Sequence, residues 1–469
     1  MKPDLLPRIL AGLVPLLLAA CSTAPAQAPP DPVETARQFG ARRLDAVLAG
    51  APQAAEWDRA QWLRAALQLN PHLQEVRAEA DAVAAGERTA AQLPNPTLNL
   101  FGEYVTAAGE SAAWLYGLSL DFLLQRPGER SRARRFAALR TQAARADVAE
   151  AIWQLRSALR RSLLDSVAAQ QEVPLLQALC DERQALLASA RLRVRAGESA
   201  GGEALAAELE LQSAEQRLRQ AQTRSLDARS RLAEAVGVPL AALQAVQPRW
   251  EGWDEAGALE AQDTARWRQD ALVARPELVR ALREYDLADN AVQQELGRRW
   301  PQLHVSPGYA WDRGGVHENQ FDENLGENQL GLSVELPLFN RNEGPIGEAL
   351  AQREHAGRHV VAVQAQLLAQ IDRAEQAWPA AQAHWRSAVA AGQLAARQRD
   401  AERRAFDSGA SDRPALLQAE AAVLEARLLG LQAAYEAQLA LGELEDAYRR
   451  PLEGPECELA PAWRVEHAA

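Results

Sequence analysis

The side chains best placed to do chemistry here are carboxylates and small polar groups at alternate positions. They are Ser119 and Asp121 in WLYGLSLDFLL, Ser333 and Glu335 in QLGLSVELPL, and Asn99 and Glu103 in TLNLFGEYV. Even-numbered steps keep side chains on one face of a strand. Each run therefore offers a wet, acidic stripe that either draws cations by its field or is simply solvated, and that activates no nucleophile. No nucleophile stands with a base and an orienting partner, and neither a Gly-rich phosphate loop nor HExxH occurs, so an enzyme is the least supported reading. The seven histidines are scattered. His304 alternates into a polar stripe, and His317 falls in an acidic run with Asp312, Glu318, Asp322, Glu323 and Glu327. A calcium-like or transition-metal site there competes with a solvated loop, and the loop is preferred because no ligand spacing recurs. No metal site and no cofactor are expected. Cys180 and Cys457 are spare thiols or a disulfide, which one pair in a long chain leaves open.

The stripes need strands to carry them. Across Trp114–Leu124 one face carries Trp114, Tyr116, Leu118, Leu120, Phe122 and Leu124, and the other Leu115, Gly117, Ser119, Asp121 and Leu123. Across Gln329–Leu338 the faces are Leu330, Leu332, Val334, Leu336 and Leu338 against Gln329, Gly331, Ser333, Glu335 and Pro337. Partner strands are expected at Thr97–Val105 and Gln302–Trp311, making two hairpins. An alternating hairpin usually covers a soluble core. These strands, however, have the roughly 9–11 residues that a tilted strand needs to cross a bilayer. Trp114, Tyr116, Tyr309 and Trp311 end the apolar faces in the residue types of an interfacial girdle. Four strands cannot close a barrel, and open edges are not tolerated in lipid, so a barrel must be shared between protomers.

The hairpins belong to an internal repeat. GLSLDF at Gly117–Phe122 returns as GLSVELP at Gly331–Pro337, 214 residues on (331 − 117). Upstream, Asn70–Leu73 matches Arg275–Leu278 and Pro96–Leu98 matches Pro301–Leu303, both 205 apart (276 − 71 and 301 − 96). Downstream, Gly197 matches Gly409 and Ala207-Glu208 matches Ala419-Glu420, both 212 apart (409 − 197 and 419 − 207). A period this long means two large units rather than a solenoid. In each unit a helix opens at Pro71 or Pro276 and stops before Pro94 or Pro301. After the hairpin comes a rod, Glu129–Arg195 or Pro345–Phe406, with one interior proline, Pro174 or Pro379, where a kink or joint is expected. The first rod spans roughly 100 Å at a rise of about 1.5 Å per residue. Gly-centred turns at Arg195–Ser199 and Asp407–Ser411 lead into return helices, in which Leu211, Leu218 and Leu232, and Leu417, Leu424 and Leu431, follow a seven-residue lattice.

Composition agrees with long close-packed helices: hydrophobic residues make up 48% of 469 positions, but aromatics only 5%. Lys2 is the only lysine and the formal net charge is −12, which argues against a nucleic-acid partner. At the N-terminus Lys2 and Arg8 precede the apolar run ILAGLVPLLLAA, too short for a stable membrane anchor. Leu18-Ala19-Ala20-Cys21 resembles a bacterial lipobox, which implies cleavage before Cys21 and acylation of its thiol. Ser22 after it favours outer-membrane sorting by the same resemblance, and STAPAQAPPDP beyond it reads as a tether.

Taken in order and twice over, the paired zigzags, the helix starts at Asn70–Leu73 and Arg275–Leu278, and the tip patterns Val194/Gly197/Ala207-Glu208 and Phe406/Gly409/Ala419-Glu420 resemble the TolC-like outer-membrane efflux proteins. The resemblance covers essentially the whole mature chain. It implies a mainly α fold with membrane β-barrel strands: a homotrimer whose hairpins close a twelve-stranded barrel, continued by an α-helical periplasmic tunnel. It also implies a periplasmic adaptor, an inner-membrane pump of the RND type and outer-membrane lipid as partners. Val194, Gly197, Phe406 and Gly409 take the adaptor-docking role by motif position. Asn99, Glu103, Ser119, Asp121, Ser333 and Glu335 would then line the pore. Leu336–Gly344, LPLFNRNEG, looks like the CzcC-type branch that exports divalent heavy metals. A drug-efflux or polypeptide-secretion duct is the alternative. The expected layout is a signal peptide over 1–20, a lipidated tether over 21–56, repeats over 57–263 and 264–452, and a tail over 453–469.

Overall fold

The computed structural model describes residues 28–44, 56–105, 113–250, 252–253, 264–313 and 325–458. Cys21, His317, Glu318, Asp322 and Glu323 lie outside the described residues, as do the side chains of Trp114 and Asp312. The chain divides into two units, the first ending at Arg43. The described residues of that first unit include the helix α1 (Pro32–Gly40), in the segment expected to be a tether. Asp31 accepts the N–H of Val33 at 2.9 Å and Pro32 opens the first turn, a strong local start that the surrounding Pro/Ala composition hides.

The second unit begins with β1 (Glu56–Trp57), α2 (Arg59–Leu69) and α3 (Pro71–Ala90). Next come β2 (Thr97–Val105), β3 (Ala113–Leu124), the rod α4 (Glu129–Arg195), the return helix α5 (Gly201–Val236) and β4 (Gln247–Pro248). The second half follows the same plan with α6 (Thr264–Ala274), α7 (Pro276–Gly297), β5 (Gln302–Arg313), β6 (Leu325–Glu335), α8 (Glu343–Asp407) and α9 (Arg413–Tyr448). Helices α2 and α6, unread in the sequence, begin 205 residues apart (264 − 59). Both rods run through their interior prolines as continuous helix. Strand β6 starts four residues earlier than expected and stops at Glu335, because Pro337 has no N–H for the ladder.

Backbone conformation repeats with the elements. Left-handed residues occur at Gly128 and Asn342 before the rods, at Gly197 and Gly409 in the tip turns, and at Gly237 and Arg449 after the return helices. The pairs stand 214, 212 and 212 residues apart (342 − 128, 409 − 197, 449 − 237). Gly237 is doubly constrained: a Cβ there would lie 2.7 Å from both the Leu69 carbonyl oxygen and Cδ of Pro71.

The core lies among the helices. One cluster gathers Trp62, Leu63, Trp153, Leu159, Leu163, Leu164, Leu232 and Trp250, and a second Ile371, Trp378, Leu441, Leu444 and Tyr448. Each large apolar side chain buried there stabilises the fold by about 2–3 kcal/mol relative to exposure. Between α4, α5 and α9 a third cluster holds Leu176, Leu179, Ala214, Ala221, Ala421 and Leu428. Of the lattice expected in α5, Leu232 is buried in the first cluster, whereas Leu211 and Leu218 are half-buried and flank a neighbouring row of buried Ala214, Ala221 and Ala228, since small side chains let rods approach closely.

A charged cluster ties the C-terminal segment into this core. Glu445 meets Arg156 at 2.8 Å and Arg160 at 3.1 Å, Glu456 meets Arg59 at 3.1 Å and Arg156 at 3.4 Å, and Arg59 also meets Glu453 at 3.3 Å. Arg156 lies over the Trp153 ring, and Arg59 and Arg160 lie over Trp250. Cys180 and Cys457 are both free thiols, one buried and one exposed, which settles the question the sequence left open.

Candidate transport surface and hairpin tips

The four long strands form one antiparallel sheet in the order β2-β3-β5-β6, so the two hairpins meet through β3 and β5. The ladders set Leu120 opposite Leu98 and Leu118 opposite Leu100, and Leu332 opposite Val305 and Val334 opposite Leu303. Leu98, Leu100, Leu118, Leu120, Phe122, Leu330, Leu332 and Val334 are exposed on this face, Leu100 to 65% and Leu330 to 76%. Tyr116 stacks on Trp311 with ring centroids 5.7 Å apart, and Tyr309 meets Trp311 edge-on at 4.7 Å. Among the described residues no helix is long and apolar enough to cross a membrane.

The opposite face collects all six polar residues singled out above. Asn99 stands opposite Ser119, Asp121 opposite Thr97, Glu103 opposite Leu115, Ser333 opposite His304 and Glu335 opposite Gln302. Gly117 lies on this face, and a Cβ there would strike the Phe101 ring at 2.6 Å and the Tyr309 carbonyl oxygen at 2.7 Å, so glycine makes room for the ring. Asp121 does not stand free. His304 approaches it through Nδ1 at 2.8 Å and Ser306 donates to its other oxygen at 2.7 Å. The alternation of His304 and Ser306 in β5 was visible in the sequence. Their meeting with a residue on β3 depends on pairing between hairpins, which no local pattern reports. Pro307, next to Ser306 in β5, has no N–H for the ladder, and the pairing of β3 with β5 lapses there, from Ser119 opposite Gly308 to Phe122 opposite Val305. Among the described residues strands β2 and β6 are the sheet's two edges, each paired on one side only.

At the other end of the rods the two tips share one construction. The Gly197 N–H bonds to the Val194 carbonyl at 3.1 Å and the Glu198 N–H to that of Arg193 at 2.9 Å. In the second tip the Gly409 N–H bonds to Phe406 at 2.9 Å and the Ala410 N–H to Ala405 at 2.8 Å. Val194 and Phe406 thus supply the carbonyls that close a left-handed helix stop. The Ala-Glu elements downstream have their own role: Glu208 takes Nη2 of Arg191 at 3.1 Å, and Glu420 pairs with Arg403. These ion pairs staple rod to return helix at equivalent positions of both repeats, a pairing the sequence spacing hinted at but did not identify. The tips differ in finish. Asp412 caps α9 by accepting the Ala415 N–H at 3.0 Å and Arg413 lies over the Phe406 ring, whereas Ala200 gives α5 no side-chain cap.

An antiparallel sheet with one exposed apolar face, carried on helices of 67 and 65 residues, is the architecture of an outer-membrane channel. The chain matches the family described as outer membrane efflux protein over residues 62–238 and again over 267–448, and it belongs to that family. Family members and structural neighbours are channels, not enzymes. Over 300 residues, 63% of this chain and 67% of the relative, it is 26% identical to the cobalt-zinc-cadmium resistance protein CzcC of Cupriavidus metallidurans. Its fold is that of the outer-membrane channel OprN, with a TM-score of 0.68 at 17% identity over 91% of this chain and 99% of that one. The outer membrane protein VceC of Vibrio cholerae gives 0.66 at 18% identity over 84% and 97%.

Proposed function

We propose that this chain is the outer-membrane exit duct of a tripartite pump that exports divalent heavy-metal cations. The observation that carries the duct is the sheet itself: an exposed apolar face, an acidic polar face and two open edges on one four-stranded unit. Three such units would close a twelve-stranded barrel with Asn99, Glu103, Ser119, Asp121, Ser333 and Glu335 on the lumen wall. The rods would carry the conduit across the periplasm, and the tips at Val194, Gly197, Phe406 and Gly409 would meet an adaptor joined to an RND-type inner-membrane pump. Acylation at Cys21 would add a lipid anchor after removal of residues 1–20, and the two repeats would span 57–263 and 264–452. Likeness to a cobalt-zinc-cadmium resistance protein supports the choice of cargo.

Transport through such a duct needs no tight site, because tight binding slows release. An acidic wall raises the local concentration of cations, and the pump supplies direction. Growth of a deletion strain on zinc, cobalt, cadmium, nickel and copper salts, beside dyes, detergents and antibiotics, tests the reading. Selective sensitivity to the metals is expected, restored by the intact gene. Sensitivity to the organic compounds alone would keep the duct and overturn the cargo.

A further inference from the structure

The polar face of the sheet holds one group built for more than solvation. His304 in β5 sets Nδ1 2.8 Å from Oδ2 of Asp121 in β3, while Ser306 donates to Oδ1 at 2.7 Å. An ionised carboxylate can only accept, so in the neutral ring the shared hydrogen belongs to Nδ1 and Asp121 selects the tautomer. The ring's lone pair is then on Nε2, for which no partner occurs among the described residues. The side chain is 36% exposed, neither sealed in the wall nor loose in solvent. An imidazole whose far nitrogen donates to a carboxylate is the arrangement that orients metal-binding histidines and raises their basicity. With both oxygens of Asp121 engaged, His304 is held from behind.

We propose that His304, backed by Asp121 and Ser306, is a transit contact for borderline divalent cations such as zinc and cobalt. The proposal rests on the reading of the polar face as a lumen. Each chain would offer one imidazole nitrogen, and water would complete the coordination. Among the described residues no group of three or more His, Cys, Asp or Glu side chains could cage a metal ion, so the contact is weak and releases its ion. It also supplies a discrimination that the acidic wall does not. Carboxylates and water suit magnesium and calcium, whereas imidazole suits zinc, cobalt and nickel.

The test uses the purified full chain reconstituted in planar bilayers, with zinc or magnesium chloride titrated against single-channel conductance. Zinc should reduce or interrupt the current at concentrations where magnesium does not, and His304→Ala and His304→Gln should both abolish the difference. Asp121→Ala, which removes the acceptor behind Nδ1, should raise the half-effective zinc concentration by about tenfold or more. A zinc response unchanged in both His304 variants would overturn the proposal, and one unchanged in Asp121→Ala would overturn the backing role. To separate this from the lumen reading, His304→Cys in a Cys457→Ser background is exposed to a charged, water-soluble thiol reagent. A stepwise fall in conductance is expected. Absence of reaction would overturn the lumen reading and the proposal with it. Reaction together with zinc sensitivity retained in His304→Ala would overturn the metal contact alone.

Discussion

Replacing Glu445 with Gln should be among the most damaging single changes in the helical core. Glu445 has 0% exposure, lies between Arg156 and Arg160 at 2.8 and 3.1 Å, and accepts the Leu452 N–H at 2.7 Å. Glutamine preserves the volume but leaves two buried guanidinium groups to share what remains. Arg156 keeps Glu456 at 3.4 Å, whereas Arg160 falls back on the carbonyl and side chain of Gln438 at 2.7 and 3.0 Å. Removing one partner of a buried ion pair costs about 3–5 kcal/mol. The residual partners place this case near the lower end, about 3 kcal/mol per chain. Glu354→Gln is the matched control: its partner is Arg358, the two side chains are 70% and 81% exposed, and such pairs contribute less than about 1 kcal/mol. Thermal melts of the detergent-purified protein at one scan rate should show a drop of a few degrees for Glu445→Gln and almost none for Glu354→Gln. Equal melting temperatures for the two variants would refute the assignment of the cluster as a structural staple. Adding Arg160→Gln to Glu445→Gln should recover part of the loss, because the uncompensated charge goes with it.

Acid should weaken the Glu445 pairs of that cluster and, apart from it, the pairing of Glu277 with Arg275 and Arg449. Burial pushes the carboxyls of Glu445 and Glu277 up, but the neighbouring guanidiniums, Arg156 and Arg160 for the first and Arg449 and Arg275 for the second, outweigh it and hold both below the usual range. A depressed carboxylate contributes its stability in full above the unfolded value, about 4.3. That contribution is lost as pH falls through the folded value, so melting of Glu445→Gln should decline less steeply below about pH 4 than that of the parent. Parallel acid limbs would contradict this. Gly237→Ala should lower the melting temperature more than Gly409→Ala: both positions are left-handed, but only Gly237 has backbone and proline atoms within 2.7 Å of the added carbon. Reversing that order would show that tip geometry, not the crowded junction, limits stability. Asp121→Asn with Glu335→Gln should reduce cation preference in bilayer recordings, and unchanged reversal potentials would remove the acidic wall as a selectivity device.

Periodicity carried most of the fold. The step from a period of 3.6 to a period of two located both hairpins, and prolines and glycines marked helix starts and tips, so α3, α4, α7 and β2 begin where those signals stand. What escaped has specific causes. Helices α2 and α6 lie directly before the prolines at 71 and 276 and were absorbed into those helix starts, although Asp58 and Gln61 form a capping box in the first of them. The α5 seam was read only in part, because leucine dominates a heptad reading: Leu232 is buried as expected, but beside Leu211 and Leu218 the alanines at 214 and 221 are the buried residues. The Arg59, Arg156, Arg160, Glu445 and Glu456 cluster was invisible, since its members come from segments hundreds of residues apart and each reads alone as a surface charge. That the six polar residues share one face was legible because alternation in a strand depends on neighbours only, and for the same reason Asp121 could not be seen to face His304.

The proposed closure of β2 of one chain against β6 of the next would turn four strands into a pore, and crosslinking across those edges tests it most directly. Asn99→Cys and Ser333→Cys, placed near the helical ends of the two edge strands in a Cys457→Ser background, should be joined between chains by a short bismaleimide in intact outer membranes. A ladder that ends at the covalent trimer is the predicted result, with each single-cysteine variant giving no ladder. Products that stop at the monomer, or that continue past three chains, would contradict a closed twelve-stranded duct.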